Sequence, residues 1–300
     1  MNGTFLFLVH PGAGSGRSRS RLERLLAHDA SLRTRSSVYV TSSPTEVLNR
    51  VRDSDAAAVA VGGDGTANMV ASALVHEGAG RPMGVLPFGT GNAFAHSLGL
   101  GTTERAVRAL HGGRTRAIDV LRTDHGAMSL ALVSISCGFE ARHIRRYTQL
   151  RRWTRPVAAA VALTTTAPRT SRGVRLTVDG QELVAAEEAV YNAGIYNHRC
   201  YLGGWTVWPD ADPGDGTAEA VVFRSGRAYG RVLVRGLRTG QPALSGDPAW
   251  TRCTRAVFES DGPLQIDGET VACSRIGVEV DGGALLVIVP GEERPESDPS

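Results

Sequence analysis

No stretch of the chain approaches the roughly 18 consecutive apolar residues that a membrane-spanning helix needs. Cysteine is scarce. The four present (Cys137, Cys200, Cys253 and Cys273) form no Cys-x-x-Cys pair and have no His nearby at metal-ligand spacing. A disulfide scaffold and a zinc module are thereby excluded, and reduced, mostly buried thiols in a reducing cytoplasm fit best. His96, His111, His125 and His198 likewise show no pairing suited to a metal. A strong excess of either charge is missing too: the net charge is +3 and the pI about 8.8, too mild to argue for nucleic acid as a partner. The basic residues are arginine, which points to a GC-rich genome more than to a ligand. The opening residues Met1 to Val9 lack a basic n-region and run straight into a glycine loop, so they read as a first strand and not a signal peptide. No internal repeat is visible.

What the chain does contain is glycine placed at the ends of apolar runs. Ala56 to Val61 is short, continuous and uncharged, as expected of a strand buried on both faces. Gly62-Gly63-Asp64-Gly65-Thr66 follows, and then Met69, Val70, Ala73 and Leu74 recur at helical spacing. Strand, glycine turn and helix start together aim backbone N–H groups and the positive end of a helix dipole at one point, which suits a phosphate. Asp64 is the odd member, since a carboxylate repels phosphate unless a cation or proton intervenes. It reads either as a helix cap or as a group acting through Mg²⁺, a nucleotide hydroxyl or the reacting atoms.

The length of 300 residues allows two domains, and 42% hydrophobic with 21% charged residues is the composition of a soluble globular protein. Phe5–Val9, Ser37–Val40, Ala56–Val61 and Met83–Leu86 read as strands alternating with helices over Arg21–His28 and Pro44–Arg52. That alternation predicts a parallel sheet covered on both faces, with the loops at 10–16, 62–66 and 87–92 together at its carboxyl edge, able to converge on one ligand. After a short helix at Arg105–Leu110 the texture changes to strands separated by Gly, Pro and Asp turns, as in an antiparallel sandwich. These strands are expected at 115–122, 129–136, 174–178, 189–194, 218–223, 230–234, 256–259, 277–280 and 284–289. The expected division is a nucleotide-binding α/β domain over 1–112, a β-sandwich acceptor domain over 113–290, and a disordered tail over 291–300, which is rich in Glu, Pro and Ser.

Gly62 to Thr66, Leu86-Pro87-Phe88-Gly89-Thr90-Gly91-Asn92, Asp212 to Gly216 and Asp267-Gly268-Glu269, in this order, resemble the diacylglycerol kinase catalytic family. The family includes bacterial soluble lipid kinases and sphingosine and ceramide kinases, and is related to NAD kinases and phosphofructokinases. The resemblance covers nearly the whole chain. It implies a Rossmann-like α/β N-terminal domain and a C-terminal β-sandwich forming a cleft, with ATP on the glycine loops. By motif, nucleotide contacts fall on His10, Pro11, Gly12, Ala13, Gly14, Thr41, Gly62, Gly63, Asp64, Gly65, Thr66, Asn68, Gly89, Thr90, Gly91 and Asn92. Asp212, Asp215 and Thr217 match the stretch that binds a structural Mg²⁺ in bacterial relatives, and Glu269 matches the proposed general base. Asp64 and Asp267 are the other catalytic candidates. The chemistry asks for the same parts: donors around the phosphates, a divalent cation, and a carboxylate to take a hydroxyl proton. Read without the family, Asp267-Gly268-Glu269 and Asp210 to Asp215 are ordinary polar turns.

The chain departs from the family pattern at His10, where Asn is usual, at Met69, where Glu is frequent, and at Ala93, where Asp is common. The expected activity is transfer of the γ-phosphate of ATP to the hydroxyl of a diacylglycerol or related lipid. The alternatives are a kinase for a sphingoid base or specialised-metabolite alcohol, and a nucleotide- or lipid-binding regulator without transfer. Arg142, His143, Arg145, Arg146, Arg151, Arg152 and Arg155 cluster with Tyr147, Leu150 and Trp153, and apolar residues 157–167 follow. The cluster reads either as a solvated helix face or as a contact for anionic lipid headgroups, which would place a cytoplasmic protein peripherally on the inner face of the membrane. The glycine-rich Tyr191 to Gly194 and Tyr201 to Gly204 resemble the family's acceptor lining, or are sandwich turns. A second copy of the chain, as a homodimer, is the remaining expected partner.

Overall fold

The computed structural model describes residues 3–291 apart from 79, 151–154, 202–204, 207, 209–210 and 240–247. The expected tail from 292 onward, Asp210, Trp153 and the Leu202 to Gly204 lining therefore lie outside the described residues. Two compact units are present. The first runs over Met1–Ile118 and resumes at Gly283; the second covers Asp119–Tyr201 and Trp205–Gly282. The chain thus returns to the first unit at its end, a return that a boundary near 112 leaves out.

In the first unit, strand β1 (Phe5–Val9) is buried at every residue and leads through a 3-10 turn (Ala13–Gly16) into helices α1 (Ser18–His28) and α2 (Ala30–Thr34). β2 (Ser36–Val40) and α3 (Pro44–Arg52) follow. α3 starts where the sequence says it should: the Ser43 hydroxyl accepts the Glu46 N–H, and Pro44 occupies the first turn without losing a bond. β3 (Ala57–Gly62), α4 (Asp64–Glu77), β4 (Met83–Pro87), α5 (Ala93–Ser97) and α6 (Thr103–Gly112) complete the alternation. The strand order is β2-β1-β3-β4, all parallel. The path from β1 turns outward to β2 and then returns past β1 to β3, so the connections after β1 and β3 lead to opposite sides of the sheet order, a topological switch point. β2 is the outer strand. Val38 and Val40 are exposed there, and the Arg50 guanidinium lies 4.1 Å from the centre of the Tyr39 ring.

The second unit is antiparallel. β5 (Arg114–Thr123) enters it and pairs with β6 (Leu130–Ala131). Then come β7 (Ser134–Gly138), α7 (Phe139–Leu150), α8 (Arg155–Thr166), β8 (Val174–Val178), β9 (Gln181–Val184) and β10 (Asn192–Tyr196). β11 (Cys200–Tyr201) and β12 (Trp205–Thr206) form a short pair before β13 (Ala218–Phe223) and α9 (Gly226–Thr239). β14 (Ala249–Cys253), β15 (Arg255–Ser260), β16 (Leu264–Ile266), β17 (Glu269–Val271) and β18 (Arg275–Val289) end the chain. One sheet has the order β14-β13-β10-β7-β16-β17; opposite it, β15 pairs with β8 and with the first part of β18. Ile135, Ile195 and Val222 from the first layer share a buried core with Leu176, Phe258 and Val278 from the second. The last part of β18 belongs to the first unit, where Val287 pairs in parallel with Met83 of β4.

Four expectations about this half change. The strand expected at 230–234 is part of α9, whose Ala228, Tyr229 and Val232 are buried at helical spacing. The run 129–136 is interrupted between β6 and β7, and 189–194 shifts to β10. The strands expected at 277–280 and 284–289 are one strand that runs on through Gly282 and Gly283.

Candidate functional site

The three glycine loops of the first unit meet. Gly89 in the loop after β4 donates its N–H to Gly62 O at 2.9 Å, joining that loop to the end of β3. A Cβ on Gly89 would overlap the Gly63 backbone, and one on Gly14 would overlap the Phe88 carbonyl, so all three loops touch through backbone. Gly14 also needs glycine for its φ of 59°. α4 starts directly at the junction, with Gly63 as its N-cap and no side chain accepting from its first turn. Such a helix end keeps backbone N–H groups available to an anion.

Side chains fix this junction. Asn92, at φ 51°, accepts the Gly89 N–H through Oδ1 at 3.1 Å and donates Nδ2 to the carbonyls of Pro87 (3.2 Å) and Gly89 (3.1 Å). Asp64 reaches across from α4 and accepts the Phe94 N–H at 3.0 Å, capping α5. Burial pushes its carboxyl above the ordinary range, while backbone N–H groups of the 92–94 segment work against that shift. Asp64 is thus held as a tie between two loops. His10 turns back on its own loop, Nδ1 accepting the Gly12 N–H at 3.1 Å. Thr41 is buried beside that loop, its N–H donating to Val9 O at 3.0 Å. Asn68 lies early in α4, where its Oδ1 accepts the Ser72 hydroxyl, and Thr66 is buried. Pro11, Gly12, Gly65 and Thr90 are exposed, and Ala13 and Gly91 are half-buried.

In the second unit, Asp267 and Gly268 form a two-residue turn between β16 and β17, with φ of 46° and 86° and Ile266 paired to Glu269. Two positive φ values make this the primed turn that Asp-Gly favours. It is not a solvated hairpin. The Asp267 carboxylate accepts the N–H groups of Leu132 (2.6 Å), Val133 (2.8 Å) and Ser134 (3.0 Å), anchoring the turn to the β6–β7 connection. Glu269, next in sequence, is exposed. Geometry therefore gives Asp267 a holding role and leaves Glu269 as the carboxylate able to meet a ligand. Asp267→Ala removes the acceptor of three buried N–H groups and puts Ala at a left-handed φ. The expected loss is about 3–5 kcal/mol, read as a lower denaturation midpoint, with Asp267→Asn milder.

Asp212, Asp215 and Thr217 share one turn. Asp212 accepts the Gly214 N–H, and Asp215 Oδ1 accepts both the N–H (3.0 Å) and the hydroxyl (2.7 Å) of Thr217. Oδ2 of Asp215 lies 3.8 Å from Arg252. Among the described residues no three His, Cys, Asp or Glu side chains come together to hold a metal. These carboxylates serve the turn, which Asp119 supports by accepting the Gly216 N–H at 2.8 Å.

Residues 4–123 match the family model described as the diacylglycerol kinase catalytic domain. Over that segment the chain is similar to the diacylglycerol kinase catalytic family. The chain is 30% identical over 178 residues to a diacylglycerol kinase of Mycobacterium tuberculosis, a match covering 56% of this chain and 55% of that protein, about half of each. It is 26% identical over 249 residues to a Salmonella paratyphi A protein named "Probable lipid kinase YegS", covering 77% of each. A solved diacylglycerol kinase structure from Bacillus anthracis superimposes with a TM-score of 0.73 at 20% identity, covering 96% of this chain and 97% of that one; the two share a fold.

The matched segment contains all three glycine loops, Asp64 and Asn92, whereas the hairpin with Glu269 lies beyond it. Beyond it too is a carboxyl that the sequence reading missed. Glu140, at the start of α7, is buried and accepts the hydroxyls of Ser136 (2.6 Å), Tyr196 (2.8 Å) and Tyr229 (2.9 Å). Burial pushes its carboxyl up, against the pull of those hydroxyls. The folded chain therefore holds this proton more firmly than the unfolded one. Its contribution to stability is complete below the unfolded value of about 4.3 and fades as pH rises through the folded value. In Glu140→Gln that pH dependence is expected to vanish, so the melting temperature of the wild type falls relative to the variant's as pH is raised. Parallel curves would contradict it.

The basic segment offered for membranes turns partly inward. Arg142 donates to the Ser171 hydroxyl and, at 2.6 Å, to the Arg169 carbonyl; His143 is half-buried, its pKa lowered by burial. Among the described residues no helix is long and apolar enough to cross a membrane.

Proposed function

We propose that the chain is an ATP-dependent lipid kinase, transferring the γ-phosphate of ATP to the hydroxyl of a diacylglycerol or a related lipid alcohol. The observation that carries this reading is the backbone junction of three glycine loops at the carboxyl ends of adjacent parallel strands, with the uncapped start of α4 at its centre. The loops cross backbone to backbone at Gly14, Gly63 and Gly89, where no Cβ of their own stands between a phosphate and the chain. The chain has no lysine, so the phosphates are held by these N–H groups without a lysine ammonium.

In the transfer step the lipid hydroxyl oxygen attacks the γ-phosphorus, the bond to the β–γ bridging oxygen breaks, and ADP leaves. The hydroxyl proton passes to the Glu269 carboxylate. Asp64 and Asp267 act by holding the loop junction and the hairpin. Magnesium enters with the nucleotide, as part of the substrate complex.

The test is purified protein with labelled ATP, Mg²⁺ and mixed lipid micelles, scored by which extracted lipid carries label. Label in phosphatidic acid establishes diacylglycerol as acceptor, and label in another lipid alcohol keeps the chemistry with a different acceptor. Nucleotide bound without label in any lipid would overturn the reading.

A further inference from the structure

The hairpin that carries Glu269 rests on a buried polar chain. Gln265, in β16, is wholly buried although it is the polar member of an otherwise apolar strand. Both ends of its amide are used. Oε1 accepts the Gly268 N–H at 2.8 Å, one residue before Glu269. Nε2 donates to the hydroxyls of Ser136 at 2.8 Å and Ser134 at 3.2 Å. Ser136 in turn donates to Glu140 at 2.6 Å, and Glu140 also takes the hydroxyls of Tyr196 and Tyr229. Tyr196 accepts from Asn192 Nδ2 at 3.0 Å, and Asn192 Oδ1 accepts the Glu140 N–H at 2.9 Å, closing the network on α7.

Each link fixes the direction of the next. With Ser136 donating to Glu140, its oxygen faces Gln265 as an acceptor, which sets the amide so that its oxygen, not its nitrogen, meets Gly268. A turn pinned only by Asp267 could still pivot about that residue. The Gly268 bond adds a second point of attachment and so fixes the direction in which β17 leaves the turn.

We propose that Gln265 is a positioning residue for Glu269, holding the carboxylate in place for proton removal through the Gly268 N–H and itself oriented by Ser136 and Glu140. The inference rests on the reading of Glu269 as the base. Satisfied networks of this kind rigidify what they touch, and misplacement of a reacting group by about 1 Å can cost on the order of 100-fold in rate.

The experiment compares wild type, Gln265→Met, Glu269→Gln and the double variant in the labelled-ATP assay, each rate divided by the folded fraction. Gln265→Met keeps the volume and removes the hydrogen bonds. It is expected to lower kcat by about 10- to 100-fold with KM for ATP unchanged. In the double variant it should cost nothing further, since its effect passes through Glu269. Amide hydrogen exchange at Gly268 should accelerate in Gln265→Met, a readout that needs no activity. Ser136→Ala, which cuts the link to Glu140, should move kcat and Gly268 exchange in the same direction and carries the test if Gln265→Met does not fold. Wild-type kcat in Gln265→Met, unchanged exchange at Gly268, or losses that multiply in the double variant would overturn the positioning role. Wild-type rates in Glu269→Gln would instead overturn the base, and the inference with it.

Discussion

Glu269→Gln is expected to lower the rate of lipid phosphorylation by about 10²- to 10⁴-fold, the range associated with losing a general base. The amide has the shape of the carboxylate but cannot take the hydroxyl proton. Because the side chain is exposed and begins a strand already paired through Ile266, the fold has little reason to respond. The melting temperature and the Kd for nucleotide should therefore stay at wild-type values while kcat falls. A variant that turns over at the wild-type rate would remove Glu269 from the step. One that fails because it unfolds would place Glu269 among the holding residues with Asp267.

The second large effect is expected at Gly89, for a steric reason. A methyl group there overlaps the Gly63 backbone, which cannot yield as a side chain would, and comes within 2.6 Å of Asn92 Oδ1, whose amide is held by its bonds to Pro87 O and Gly89 O. Gly89→Ala must push the loop after β4 away from the loop after β3, breaking the Gly89 N–H bonds to Gly62 O and Asn92 Oδ1. Overpacking and lost hydrogen bonds together suggest about 2–4 kcal/mol of destabilisation. Nucleotide binding should be lost, because the junction itself is the proposed site. Gly65→Ala is the control for stability: a methyl group there meets nothing within 4 Å, so its denaturation midpoint should match the wild type. Equal midpoints for the two variants would mean that the loops part without cost.

The parallel half was legible in the sequence because its signals are local. Apolar runs such as Ala57 to Val61 end at glycine, and Ser43-Pro44 announces α3 by chemistry that works within one turn. The antiparallel half misleads at the same level. In α9, Val232-Leu233-Val234 resembles a strand, whereas the pattern that decides is the arginines at 227, 231, 235 and 238, spaced for a helix with a polar face. The Glu140 network was beyond local reading. Its members come from β7, α7, β10, α9 and β16, and only the folded sheet gathers them. The one hint was a Glu two residues after the buried run Ser134 to Gly138, where nothing in the sequence tells a cap from a core acceptor. Asp64 and Asp267 illustrate a related limit. Both stand in motifs that suggest chemistry, and both are occupied by backbone N–H groups from distant segments.

The return of β18 to the first unit has a consequence for biosynthesis. β4 is made early, yet the strand that flanks it beyond β3 is completed only when residue 289 has been added. Until then one side of β4 presents unpaired backbone to whatever strand it meets first. The first unit cannot complete its sheet until then, although its first 118 residues emerge long before the rest. A chain cut short after residue 282 would keep every glycine loop and still expose a sticky strand edge, making it a substrate for chaperones and a seed for aggregation before it could bind anything.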